Sequence, residues 1–179
     1  HNFGQTNVPS NLNNVISVST GEEHCLALQS DGSVIAWGGN GQGQTDVPEG
    51  LSDVISIKAR SMHSLALKSD GTVVAWGRNN EGQCDVPAGL SDVVGIDAGF
   101  RHSVALKSDG TVVVWGDNNH GQLNVPADLS DVIAVAARSS HSIALKSDGT
   151  VVGWGRNGDG ESESPEGLSD VVAIEAGSL

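Results

Sequence analysis

Residues 53–91 read DVISIKARSMHSLALKSDGTVVAWGRNNEGQCDVPAGLS, and this stretch decides the fold. It holds three apolar runs, at 54–59, 63–68 and 72–76, each rich in Val, Ile, Leu and Ala. Runs of five or six residues suit strands and are too short for helices. Ser69-Asp70-Gly71 joins the second run to the third. Asp-Gly between apolar runs is a tight-hairpin signal, because glycine accepts a positive φ. After Trp76-Gly77 comes a polar connection that carries Gly82-Gln83 and Val86-Pro87. The stretch therefore predicts a three-stranded antiparallel unit followed by a crossing segment.

The same pattern recurs along the chain. His-x-x-Ala-Leu begins at His24, His63, His102 and His141, a step of 39 residues. Trp37, Trp76, Trp115 and Trp154 keep that step, and so do Pro9, Pro48, Pro87, Pro126 and Pro165. A three-stranded sheet is too small to stand alone and must bury its faces against its neighbours. Repeats of this length with several strands and one tryptophan each predict an all-β fold, a β-propeller of stacked blades. A β-solenoid is the competing architecture, but its repeats are shorter and lack a hairpin in each. The chain reads as a single repeat domain, 1–179. Residues 1–14 end a preceding repeat, and four blades follow at 15–52, 53–91, 92–130 and 131–169. Residues 170–179 supply the first strand of a fifth. With partial blades at both ends, the expectation is a ring completed by more polypeptide, from a longer chain or from another one.

Gly-x-x-His-Ser-x-Ala-Leu, then Asp-Gly-x-Val-x-x-Trp-Gly-x-Asn-x-x-Gly-Gln, is written here as GFRHSVALKSDGTVVVWGDNNHGQ at 99–122. This motif resembles the repeat of the regulator of chromosome condensation family. In repeat length it is more similar to bacterial propellers like β-lactamase inhibitor protein II than to the eukaryotic exchange factor. The resemblance implies a protein-binding propeller and an extracellular or periplasmic setting. The bacterial inhibitor's pattern places Trp or Tyr just before His-Ser. This chain has Glu23, Met62, Arg101 and Ser140 before those histidines, a departure that speaks against β-lactamase as the target.

Asp and Glu number 22 against 9 Lys and Arg, for a net charge of −13. That balance opposes binding to a nucleic-acid backbone, which needs clustered Lys and Arg, and it speaks against chromatin contact. No apolar run is long enough to span a membrane, so membrane insertion is not expected. Nor does the quoted sequence begin with a basic segment followed by an apolar one, so no signal peptide is read in it.

In each unit the chain runs up, down and up. The loops between the first and second strands share one face, the top, with the loops after Trp-Gly. The Ser-Asp-Gly turns lie on the bottom. All five arginines, both phenylalanines and the only methionine fall in top loops. Arginine and aromatic residues are the types enriched at binding hot spots, and variation on an invariant scaffold marks a binding surface. Free drift of surface loops is the bland alternative. The predicted partner-binding residues are Glu22, Glu23, Arg60, Met62, Arg78, Phe100, Arg101, Asn119, His120, Arg138 and Arg156.

Other features read as structural. The repeated histidines stand one per blade, too far apart to share a metal ion. Each Ser-Asp-Gly turn offers one carboxylate, whereas calcium needs six to eight converging oxygens. No metal or other cofactor is expected. The tryptophans read as packing between blades, and the Gly-Gln glutamines as amides bonded to backbone. Cys25 and Cys84 occupy different repeat phases and read as free thiols. No nucleophile, base and acid recur together, so the chain reads as non-enzymatic. The expected function is a protein-binding scaffold, an inhibitor or recognition module. The alternative is a structural surface, adhesin-like or self-assembling module that associates through open blade edges.

Overall fold

The computed structural model describes residues 3–165 and 167–177. Its strands form four separate three-stranded antiparallel sheets. Blade 1 comprises β1 (Val15–Thr20), β2 (His24–Gln29) and β3 (Val34–Gly38). Blade 2 comprises β4 (Val54–Arg60), β5 (His63–Lys68) and β6 (Val73–Gly77). Blade 3 comprises β7 (Val93–Ala98), β8 (His102–Lys107) and β9 (Val112–Gly116). Blade 4 comprises β10 (Val132–Arg138), β11 (His141–Lys146) and β12 (Val151–Gly155).

The bottom turns close as their sequence dictates. In blade 2, Asp70 Oδ1 accepts hydrogen bonds from Thr72 N at 3.0 Å and Thr72 Oγ1 at 2.6 Å. Gly71 sits at φ +79°, a conformation that disfavours any side chain. The Gly71 carbonyl then accepts from Val93 N at 3.2 Å, which ties the turn to the next blade. Gly32 and Gly149 do the same for Val54 and Val171. Asp53, Asp92 and Asp170 precede these donors, and with Asp131 at the same place in blade 4 they have φ of 57–59°. Aspartate is one of the few residue types that tolerate this region.

The cores lie between blades. Trp76 packs in a cluster with Leu26, Leu28, Val54, Ile57 and Ala59, bridging blades 1 and 2. Trp115 and Trp154 hold the equivalent places between blades 2 and 3 and between blades 3 and 4. The middle strands β5 and β8 are buried along five consecutive residues, as sheets covered on both faces require.

Two features differ from the sequence expectation. Each first strand carries a register shift near its start, as between Val54 and Ser56 in β4. The residue inside it is apolar and exposed: Ile16, Ile55, Val94 and Ile133. A bulge inserts one unpaired residue and turns the side-chain alternation over locally. Second, residues 171–177 form no strand, although a fifth first strand was expected there. A strand exists through its ladder partner, and among the described residues no hairpin pairs with this segment.

Candidate functional site

The top face rests on a buried hydrogen-bond lattice that repeats from blade to blade. Ser64 Oγ donates to the Gln44 carbonyl at 3.1 Å and lies 2.9 Å from His24 Nε2. The hydroxyl has one proton, and the carbonyl can only accept. His24 Nε2 must therefore carry its proton and donate to Ser64. Ser103 repeats this between the Gln83 carbonyl, at 2.8 Å, and His63 Nε2, at 3.3 Å. His102 Nε2 meets Ser142 Oγ at 2.8 Å. The expected structural histidine is thus a clamp onto the next blade's middle strand. Burial lowers the histidine pKa to about 4 for His24 and His102 and to about 3 for His63. With these lowered values the rings are neutral near pH 7, and in His24 and His63 the one proton sits on Nε2.

The Gln44 and Gln83 carbonyls also accept from the indoles of Trp76, at 3.0 Å, and Trp115, at 2.9 Å, and the Gln122 carbonyl accepts from Trp154 Nε1 at 2.8 Å. The glutamine side chains are fully buried, and their Oε1 atoms accept from backbone two residues earlier, as Gln83 does from Glu81 N at 3.0 Å. In the fourth repeat Glu161 replaces this glutamine. Its Oε2 accepts from Asp159 N at 2.7 Å, and Arg156 Nε lies 2.9 Å from its Oε1. Each loop after Trp-Gly is then pinned to the neighbouring top loop. Gly39, Arg78, Asp117 and Arg156 donate backbone N–H groups to the carbonyls of Glu23, Met62, Arg101 and Ser140, at 2.7–2.9 Å. These loops after Trp-Gly vary in side chain, while their first backbone N–H groups are held alike.

The expected partner-binding residues separate into groups on this frame. Glu22, Arg60, Phe100 and Arg138, with Ser139, line one cavity of about 280 Å³ at the top. Arg78 and Arg101 share Glu81, at 2.9 and 3.8 Å from its Oε1. The Arg101 guanidinium also stands 5.4 Å over the Phe100 ring centroid, a cation–π contact that joins the two groups. Arg156 is held apart by Asp159 and Glu161. Asn119 and His120 are exposed on the blade 3 loop, whereas Glu23 and Met62 are half-buried. Cys25 and Cys84 are free thiols, and burial pushes Cys84 up to about 12. Among the described residues no three His, Cys, Asp or Glu side chains converge as metal ligands.

The top alternates with a period of two blades, a pattern that no single repeat carries. Positions 21, 60, 99 and 138 read Gly, Arg, Gly, Arg. Gly21 and Gly99 lie against the His24 and His102 rings, which a Cβ there would strike. In blades 2 and 4 the first strand is one residue longer, and Arg60 and Arg138 pair with His63 and His141 across two-residue turns. The odd-blade loops lean on these turns: Glu22 N donates to the Ser61 carbonyl at 3.1 Å and Phe100 N to that of Ser139 at 2.7 Å. Below, the first strands line a channel cavity of about 270 Å³, in which Lys58 Nζ lies 3.3 Å from Asp97 Oδ1.

Stacked three-stranded blades with cores between them, first strands lining a channel and a shared face of loops define a β-propeller segment. The description regulator of chromosome condensation (RCC1) repeat matches residues 15–44, 54–83, 93–122 and 132–161, and the chain belongs to this repeat family. No curated protein sequence matches it significantly. Yeast RCC1 (Prp20), crystallised with Kap60 bound, is 26% identical with a TM-score of 0.72 over 92% of this chain and 49% of that one. Human WBSCR16 gives 21% identity and a TM-score of 0.72 over 92% of this chain and 55% of its own. The Physcomitrella patens receptor kinase CR4 ectodomain gives 24% and 0.66 over 79% and 40%. The chain therefore spans about half the length, or less, of these three solved structures.

Proposed function

We propose that this propeller segment is a non-enzymatic protein-binding scaffold whose recognition surface is the top face. One observation carries the reading: side chains that differ from blade to blade stand on backbones locked by the same hydrogen bonds, such as Arg78 N to Met62 O and Asp117 N to Arg101 O. Rigid presentation reduces the entropy lost on binding. Arg60, Phe100 and Arg101 supply the residue types that dominate binding energies. Yeast RCC1 (Prp20), similar in fold and repeat, binds a protein partner in Kap60. Inhibition of an extracellular or periplasmic enzyme is the finer form of this reading, and it rests on the resemblance to bacterial propellers.

The test is crosslinking capture of a partner by the wild-type chain and by the triple variant Arg60→Ala, Phe100→Ala, Arg101→Ala. The expected result is saturable capture that weakens at least tenfold in the variant, whose circular dichroism stays unchanged. Equal capture by the two proteins refutes the top face as the recognition surface. A second reading, self-assembly, is favoured by the face of blade 1 where Val15 and Val18 are 39% and 66% exposed, while their equivalents Val54 and Ile57 are buried. It predicts a sedimentation mass that rises with concentration and is insensitive to the triple variant.

A further inference from the structure

The five arginines of the top face are not equivalent. Arg78, Arg101 and Arg156 each lie within 4 Å of a carboxylate. Arg60 and Arg138 lie in no such ion pair among the described residues, and their side chains donate none of the hydrogen bonds found there. Yet these two line the same mouth cavity and the channel cavity beneath it. They are close enough that the Arg138 charge helps burial to lower the Arg60 pKa, with Asp97 and Glu22 opposing. In a chain of net charge −13, two neighbouring guanidiniums stand at the channel mouth with no direct ion pair among the described residues, although Glu22 and Asp97 lie near enough to act on Arg60.

The alternation of blades produces this. Glycine at 21 and 99 is enforced by the histidine rings beneath, so odd blades present no side chain at that position. Even blades extend the first strand by one residue and end it on arginine. Ser61 and Ser139, at φ 46° and 45°, complete the tight turns that fix both arginine backbones. Arg60 and Arg138 therefore come from alternate blades to one cavity. Phe100 supplies an apolar wall, and among the described residues that line this cavity the exposed Glu22 is the one carboxylate, with Asp97 and Glu175 lining the channel beneath. Two guanidiniums and one carboxylate leave that lining with a single positive charge, which suits a monoanion better than a dianion. A planar guanidinium matches a carboxylate through paired N–H donors.

We propose that Arg60 and Arg138 form a carboxylate-binding site at the channel mouth, with Phe100 as its apolar wall. It rests on the reading of the top face as a binding face and names the chemistry that face takes: a carboxylate side chain or chain terminus of the partner. The site can be tested without that partner. Nuclear magnetic resonance of the arginine Nε–H groups reports all five side chains while sodium acetate is added, with sodium phosphate in a parallel titration and sodium chloride matching the ionic strength. The expected result is saturable shifts of Arg60 and Arg138, absent from Arg78 and Arg156, with acetate half-saturating below phosphate. Arg138→Gln should weaken acetate binding about tenfold as seen at Arg60. Glu22→Gln should strengthen it about two- to fivefold by removing a like charge at an exposed site. Shifts that do not saturate, or that are equal at all five arginines, overturn the site. Tighter binding of phosphate overturns the carboxylate assignment. Saturable acetate binding in a chain whose triple variant still captures its partner would uphold the site and reject the partner reading, so the two failures are distinguishable.

Discussion

At the residue scale the clamp histidines set the response of the protein to acid. Free histidine takes up a proton near pH 6.5, whereas burial holds His24 and His102 at about 4 and His63 at about 3. Between those values the unfolded chain binds more protons than the native one, so stability rises with pH. It is complete above about pH 7, and each neutral histidine removes about 1.4 kcal/mol per pH unit below 6.5. The turn carboxylates Asp31, Asp70, Asp109 and Asp148 work lower. Hydrogen bonds from Ser33, Thr72, Thr111 and Thr150 depress them, so their contribution is lost only as pH falls through the ordinary carboxylate range. Urea midpoints from pH 7 to pH 4.5 should fall steadily, and His63→Gln should reduce the slope by about one proton. A flat profile across that window would mean that these rings are not buried neutral.

At the scale of the element, the top turns are of two kinds that do not exchange. Gly99→Ala would drive a methyl group into the His102 ring, which Ser142 fixes from the next blade. Overpacking of this kind costs about 1–3 kcal/mol. Arg60→Ala, at the equivalent position of an even blade, removes only a half-buried surface side chain and should cost less than about 0.5 kcal/mol. Urea unfolding of both variants measures the contrast, and equal costs would refute the two-turn account. Much of this architecture was legible in residues 53–91. The Asp-Gly turn fixed the hairpin, and the run lengths fixed the strands. The bulges at Ile55 and its equivalents were not legible, because an apolar residue beside Val54 looks like one more buried position. Nor was the cavity shared by Arg60 and Arg138. Laying the repeats over one another at a step of 39 merges odd and even blades, and the period that joins these arginines is twice that. The segment at 171–177 has a strand's composition without a ladder partner, which sequence composition does not register.

At the scale of the whole molecule, stability resides between blades, so equivalent residues should not contribute equally. Ile57 of β4 is 3% exposed in the cluster that joins blades 1 and 2. Val18 stands at the equivalent position of β1 and is 66% exposed, because no described blade precedes it. Truncating a buried aliphatic side chain costs about 2–5 kcal/mol, through lost transfer energy and the cavity left behind. At an exposed site the cost is within about 0.5 kcal/mol. Ile57→Ala should therefore lower the unfolding free energy of the 179-residue chain by at least 2 kcal/mol more than Val18→Ala does. Denaturant unfolding of the two variants at low protein concentration reads that difference directly. Similar costs that grow with protein concentration would show that a second molecule covers the blade 1 face in solution, and self-assembly would then displace partner recognition as the leading account of the fold's use.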